Sequence, residues 1–272
     1  MISSLEQNFK KIGAEVKIVN VSTRRRWVVQ PSPITLDVIT NKGKELFEIS
    51  IRDDVAEQID LSVLEVIKEE RHLVLLAKQF DHKGDVVSKD HFLCGHDERH
   101  FFVASVGHVS TVAAAKDSLK PQEIRDNEAG LDTQKRNRRK TPVFKRQGEW
   151  FFVPVNITPE PYEIRKYEPL VRGGSKAHIA QFACRRGGEP VKVCSQFPNG
   201  LTLTEFSEFT AKNPAAKYWI WRSMQRNATV YVMGQIRHPD HATVVLNSWH
   251  RVLMNTETER PRSGVVAVAF LD

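Results

Sequence analysis

The stretch Leu46-Phe47-Glu48-Ile49-Ser50-Ile51 alternates apolar and polar side chains. Because successive side chains of a β-strand point to opposite faces, this pattern predicts a strand that is half buried. Residues 16–21 and 34–38 repeat the alternation, and Pro, Gly and Asn turn signals separate the segments. Connections this short leave no room for crossover helices. We therefore expect a predominantly antiparallel β-domain over residues 1–109.

Helix signals lie on both sides of this β-region. Residues 3–12 place apolar side chains on one face and stop at Gly13, which is typical of a short amphipathic helix. Ser110 precedes an alanine-rich helical stretch, and Pro121 begins a further helical turn. Residues 110–147 are therefore predicted as a helical segment that continues into a basic linker.

The carboxy-terminal domain, residues 148–272, mixes helix and strand. Thr202 and Glu205 have the spacing of a capping box, which predicts a helix over residues 203–212. Hairpins are expected around Gly187-Gly188 and around Pro239-Asp240, and residues 264–271 read as a final apolar strand. The predicted fold class is α+β and strand-rich, with predominantly antiparallel sheets in two lobes joined by a helical and basic connector.

The charge is distributed unevenly along the chain. Residues 1–131 hold 18 Lys and Arg against 21 Asp and Glu, whereas residues 132–147 hold seven basic groups against one acidic group. Residues 148–272 hold 15 basic groups against 11 acidic ones. A concentrated basic stretch attracts polyanions because phosphate contacts release condensed counterions. The predicted phosphate-binding residues of the linker are Lys135, Arg136, Arg138, Arg139 and Lys140. A solvated linker that only keeps the chain soluble is the alternative.

The carboxy-terminal lobe adds aromatic rings and arginines to this hypothesis. Trp219 and Trp221 alternate with polar and aliphatic residues and precede Arg222 and Arg226, a combination that can stack unpaired bases and bind their backbone. The pair Arg185 and Arg186 supplies further cations. If the segment is a strand, the two tryptophans share a face, and burial in a core is the alternative.

One candidate metal site lies in the amino-terminal domain. The string from residue 91 to residue 100 contains His91, Cys94, His96 and His100. Imidazole and thiolate groups are zinc ligands, and a hairpin turn at residues 97–99 would bring several of them together. The spacing does not match a known zinc finger. A zinc ion is thus an open possibility for this group, beside a polar hairpin tip with one buried cysteine.

A second group of histidines lies in the carboxy-terminal lobe. A type I turn through Pro239-Asp240 places His238 and His241 opposite each other, with Arg237 beside them. Two facing histidines are compatible with half of a metal site, with a general acid and base for phosphodiester cleavage, or with a structural turn. His178 joins the candidates because a titratable group in apolar surroundings often marks a site, and a satisfied histidine at the edge of the core is the alternative.

Several classes of protein are disfavoured by the same sequence. The longest apolar runs are far shorter than the roughly 18 residues of a membrane-spanning helix, and the first residues lack an apolar signal region. Three scattered cysteines favour a reducing compartment, so we expect a cytoplasmic location without membrane contact. The leading hypothesis is an intracellular DNA- or RNA-binding protein. A histidine-based or metal-dependent nuclease and a protein-interaction scaffold are the alternatives, and the oligomeric state is left open.

Overall fold

The structure, a computed structural model, describes residues 2–22, 32–171 and 176–259. The chain divides into two compact units. Unit one consists of the described residues up to Thr141 together with residues 254–259, and unit two consists of the described residues from Pro142 to Leu253. Strands predominate over helices, and most strand pairs are antiparallel, which confirms the strand-rich α+β fold.

Unit one is built from two sheets. Its described strands are β1 (Val16–Val21), β2 (Ile34–Asn41), β3 (Lys44–Arg52), β4 (Ile59–Ile67), β5 (His72–Phe80), β6 (Val86–Asp97) and β7 (His100–Val106). The first sheet has the order β1-β3-β2, with β1 parallel to β3, and the second is the antiparallel meander β4-β5-β6-β7. The alternating stretch at residues 46–51 lies in β3, where Phe47 and Ile49 are fully buried as predicted.

Two helices cover opposite faces of the four-stranded sheet. Leu73 and Leu75 of β5 pack in the same core cluster as Phe9 of α1 (Ile2–Lys11). Val74, between them in sequence, packs in a second cluster with Val112 of α2 (Val112–Ser118). Because side chains alternate along a strand, β5 supplies both clusters and is buried on both faces. Residues 73–77 of β5 are all apolar because both faces of this strand are buried.

The helical segment is part of unit one. Helices α3 (Gln122–Asn127) and α4 (Thr133–Arg136) follow α2, and the buried Lys120 amine donates to Glu128 at 2.6 Å and to the Arg136 carbonyl at 2.8 Å. These bonds tie the end of α2 to the residues after it. Residues 110–141 therefore group with unit one, whereas the sequence predicted a separate connector over residues 110–147.

Unit two also contains two sheets and one longer helix. Its described strands are β8 (Lys145–Gln147), β9 (Trp150–Pro154), β10 (Arg165–Leu170), β11 (His178–Arg186), β12 (Glu189–Cys194), β13 (Phe197–Thr202), β14 (Arg222–Arg226), β15 (Thr229–Arg237) and β16 (Val244–Met254). The sheets have the orders β10-β11-β15-β16-β9-β8 and β13-β12-β14. Helix α5 (Leu203–Lys212) begins at the predicted capping box, in which Thr202 and Glu205 exchange hydrogen bonds.

The hairpin predicted around Gly187-Gly188 is wrong, whereas the hairpin predicted around Pro239-Asp240 is confirmed, with a different register. The segments on either side of Gly187-Gly188 do not pair; β11 pairs with β10 and β15, and β12 pairs with β13 and β14. Both glycines have positive φ, a conformation that glycine adopts without steric cost, and they connect β11 in the six-stranded sheet to β12 in the three-stranded sheet. The β15–β16 hairpin forms, but its register is shifted by one residue. Ile236 pairs with Val244, whereas the predicted pairing of His238 with His241 would set Ile236 opposite Thr243. The predicted strand over residues 264–271 lies outside the described residues.

Candidate functional site

Three histidines of unit two come together at the end of the six-stranded sheet. His178 is the first residue of β11, while His238 and His241 lie in the turn between β15 and β16. The antiparallel pair β11–β15 sets Ile179 opposite Arg237, so His178 and His238 extend from the same end of the pair. We call His178, His238 and His241 the histidine cluster.

The three rings form a compact stack. The ring centroids of His178 and His238 are 4.1 Å apart, and those of His238 and His241 are 4.6 Å apart, with interplanar angles of 23° and 28°. One ring nitrogen from each residue lies within 4.8 Å of the other two. Around a tetrahedral zinc ion the nitrogens are about 3.4 Å apart. An approach of at most about 1.4 Å, together with rotation of the stacked rings so that their lone pairs converge, would thus bring the three nitrogens to metal-binding distance.

Burial favours the neutral form of two of the three imidazoles, those of His178 and His238. His178 is 1% exposed, and neither of its ring nitrogens has a hydrogen-bond partner among the described residues. Burial, followed by the charges of His238 and His241, lowers the pKa of His178 to about 3. Burial and the charge of His241 also lower the pKa of His238. Neutral imidazole has a free lone pair, which is the form that binds metal ions.

A tight turn between β8 and β9 closes one side of the cluster. Gly148 has φ +57°, and a Cβ atom there would lie 3.0 Å from Nε2 of His241 and 3.3 Å from Nε2 of His178. The two Nε2 atoms therefore approach the same backbone position. Trp150 packs edge-on against His178, with the ring centroids 6.2 Å apart.

Gln147 connects this turn to the histidine turn. Its side-chain amide is buried and donates to the carbonyl of Ile236 at 3.3 Å and to that of Ala242 at 2.7 Å. These two carbonyls lie on either side of the segment that carries His238 and His241. Gln147 and Gly148 are residues that the sequence analysis missed, because a glutamine and a glycine after a short strand carry no recognisable signal on their own.

Two charged residues lie next to the cluster. The Lys176 amine pairs with the Asp240 carboxylate at 2.8 Å, and the Asp240 backbone N–H donates to Nδ1 of His238 at 3.1 Å. This bond orients the His238 ring. Arg237, which was predicted beside the two histidines, is exposed, and its guanidinium donates to the side chain of Gln235 instead.

The structure does not bring together the predicted metal group of unit one. Cys94 is fully buried in the core, and burial raises the pKa of its thiol, so the metal-binding thiolate is disfavoured. Nδ1 of His100 lies 2.6 Å from Glu45, His96 packs edge-on against Phe101, and His91 packs against His108. Across the described part of the chain, the histidine cluster is the one group of three or more potential ligands that converges.

Many of the predicted phosphate-binding residues are engaged within the protein. Arg139 pairs with Asp97 and Glu98, Lys135 pairs with Asp132, and the Arg136 guanidinium donates to backbone carbonyls. In unit two the ion pairs are Arg185–Glu168, Arg186–Glu163 and Arg226–Glu189. Arg138, Lys140 and Arg222 are exposed. The charge available to a polyanion is therefore smaller than the sequence suggested.

The predicted tryptophans belong to a partly exposed cluster. Trp219 and Trp221 lie in irregular chain between a 3-10 helix (Pro214–Tyr218) and β14, not in a strand. They contact three phenylalanines, and we call the five rings the aromatic surface. Its members are Phe197, Phe206, Phe209, Trp219 and Trp221.

Comparison of the chain with known protein families, with curated proteins and with solved structures finds no match. Across the described ranges, no helix combines the length and the apolar character that crossing a membrane requires.

Proposed function

We propose that the histidine cluster binds one divalent transition-metal ion and that the chain is a metal-dependent phosphodiester hydrolase acting on nucleic acid. The observation that carries the proposal is the convergence of three imidazoles, one of which, His178, is buried with its pKa lowered to about 3. Leaving the buried polar atoms of His178 without partners costs roughly 1–3 kcal/mol per group. A bound metal would satisfy one of these nitrogens and offset part of that cost.

The protonation states favour metal binding over direct acid–base catalysis. A general acid must be protonated near the working pH, whereas burial holds the pKa of His178 at about 3 and lowers that of His238. Near pH 7 neither ring has a proton to donate as an imidazolium. Within the described part of the chain, the lone pair of His178 is free for a metal ion, whereas Nδ1 of His238 accepts the Asp240 N–H bond and would have to exchange that bond for the metal. Zinc, copper, iron and nickel all suit imidazole ligands.

Three protein ligands leave a fourth position on a tetrahedral metal for water. A zinc ion lowers the pKa of such a water to about 7, which generates hydroxide at neutral pH. His178, His238 and His241 would hold the metal, and the metal would supply the nucleophilic oxygen for attack on phosphorus. The bond from phosphorus to the leaving oxygen would break, and that oxygen would take up a proton from solvent water. The basic excess of residues 148–272 supports a polyanionic substrate. A scaffold role would not explain why three histidines converge.

The test is a metal analysis of untagged protein combined with nuclease assays. We expect about one equivalent of zinc, and we expect His178→Ala, His238→Ala and His241→Ala each to lose it. His250→Gln is the matched control, since His250 is a buried histidine of the same hairpin outside the cluster. Cleavage of labelled DNA or RNA should stop with EDTA and return with zinc. Metal-free protein that keeps its cleavage activity would contradict the proposal.

A further inference from the structure

Three rings of the aromatic surface are stacked on one another. The ring of Phe197 is nearly parallel to those of Trp219 and Trp221, with interplanar angles of 26° and 17° and centroid distances of 6.5 and 6.0 Å. All five rings are partly exposed, and none is fully buried. Aromatic side chains that serve only as core are normally covered, so this exposure needs an explanation.

The rings are held in place by their neighbours. The indole N–H of Trp221 donates to the Ala216 carbonyl at 2.8 Å, and Phe206 packs edge-on against the same indole at a centroid distance of 4.9 Å. Phe209 contacts both Phe197 and Trp219. Side chains that are already ordered lose little entropy when a ligand binds, which favours affinity.

Further apolar side chains extend the exposed area. Tyr218 is 90% exposed and Ile220 is 84% exposed, and both are sequence neighbours of Trp219. Leu203 is 54% exposed and lies three residues before Phe206 on α5, which places the two on the same helix face. Single exposed apolar residues are common, but a contiguous group usually marks an interaction site.

The charges around the aromatic surface indicate an anionic partner. Exposed cations outnumber carboxylates along its borders. The exposed cations are Lys212, Lys217 and Arg222, and the exposed carboxylates are Glu205 and Glu208. Lys217 and Arg222 make no ion pair with the part of the chain that the structure describes, whereas Glu205 is engaged in the capping box. The cations at residues 217 and 222 lie on both sides of the exposed segment 218–221.

We propose that the aromatic surface binds single-stranded nucleic acid, with unpaired bases stacked on Trp219 and its neighbours and with phosphates on Lys217 and Arg222. Base faces are accessible only when the bases are unpaired, and every base has one, so stacking is tolerant of sequence. Insertion of α5 into a duplex groove is disfavoured because Glu205 and Glu208 would face the phosphates. The inference rests on the proposed function only for the identity of the substrate, since binding here requires no metal.

The test is fluorescence anisotropy of a labelled 12-nucleotide poly(dT) strand and of a 12-base-pair duplex, both in EDTA. We expect the strand to bind more tightly than the duplex. Trp219→Ala should weaken strand binding roughly 5- to 150-fold, the range found for loss of one stacked base, and Trp219→Phe should recover part of it. Replacing Lys217 and Arg222 by Gln should lower the salt dependence by about 0.7 log units per lost contact. Tyr162→Ala is the control, because Tyr162 is 86% exposed and lies outside the aromatic surface.

Folding is checked by the thermal melting of each variant, and Trp219→Phe remains informative if the alanine variant unfolds. Equal affinity of Trp219→Ala and Tyr162→Ala for the strand, or tighter binding of the duplex, would overturn the inference, as would an absence of binding. A failure of the proposed hydrolase looks different: zinc and cleavage are lacking while strand binding in EDTA still depends on Trp219.

Discussion

The imidazole rings of His178 and His238 stack at 4.1 Å although the two residues are far apart in the sequence. Their proximity follows from the pairing of β11 with β15, which sets Ile179 opposite Arg237. His241 joins them from the same turn as His238. The histidine cluster is thus a product of strand pairing, and residues that hold the strands and turns in place should influence metal binding.

The first prediction concerns pH and the metal-free protein. The pKa of His178 is about 3 in the folded state and 6.5 when the ring is unperturbed, so the unfolded state binds more protons between these values. The free energy of unfolding should fall as the pH falls through this window, by at most about 1.4 kcal/mol per pH unit. Urea denaturation in EDTA at several pH values should show a shallower dependence for His178→Gln. If the unfolding free energies of the unsubstituted protein and of His178→Gln depend on pH in the same way, His178 does not have the lowered pKa.

The second prediction concerns Gly148. An added methyl group would lie 3.0 Å from Nε2 of His241, and the positive φ adds backbone strain of about 1 kcal/mol or more. Gly148→Ala should therefore lower both stability and zinc affinity. Gly187→Ala is the matched control, because Gly187 also has positive φ and nothing within 4 Å of an added Cβ. Calorimetric titration with zinc should show weakened binding for Gly148→Ala alone.

The third prediction concerns Gln147 as a positioning residue. Gln147→Leu removes the donors to the Ile236 and Ala242 carbonyls, which should cost roughly 1–3 kcal/mol of stability. Zinc affinity should fall about 10- to 100-fold, as for other residues that support metal ligands. Gln181→Leu is the comparison, since Gln181 accepts a backbone N–H bond from Gln235 in the same sheet. If Gln147→Leu and Gln181→Leu lose the same zinc affinity, Gln147 stabilises the sheet and does not specifically position the histidines.

The fourth prediction separates the two candidate metal groups. Cys94→Ser should leave the zinc content unchanged, because Cys94 is buried in the core of unit one and its thiol does not meet the nearby histidines. The buried hydroxyl should lower stability by about 1–3 kcal/mol. Elemental analysis and thermal melting give both results. Release of zinc by this substitution would instead assign the metal to the group at residues 91–100.

The fifth prediction divides the basic segment by its contacts. Arg138 and Lys140 are exposed, whereas Arg139 pairs with Asp97 and Glu98. Changing Arg138 and Lys140 to Gln should weaken nucleic-acid binding and flatten its salt dependence, with an unchanged melting temperature. Arg139→Gln should mainly lower stability, by up to about 1 kcal/mol. If Arg139→Gln has the larger effect on binding, its ion pairs open in the complex.

Residues close together in the sequence were enough to predict several strands, a helix start and a turn of this protein. The alternation in residues 46–51, the capping box at Thr202 and Glu205, and the turn at Pro239-Asp240 each depend on residues a few positions apart. The same local reasoning selected His178, His238 and His241 as candidate residues. It also correctly indicated an α+β fold with mostly antiparallel strands.

Strand partners, burial and ion pairing were decided by the tertiary structure. Local sequence predicted that β11 would turn back onto β12, but the two strands lie in different sheets and β11 pairs with β10 and β15 instead. The pairing of β11 with β15 brings His178 next to His238. Burial raises the pKa of the Cys94 thiol and so disfavours the thiolate that would bind a metal. Carboxylates from distant segments neutralise arginines that look free in the sequence, as Glu168 does for Arg185. Pairing and burial sum many weak interactions between distant residues, so a motif of a few residues does not encode them.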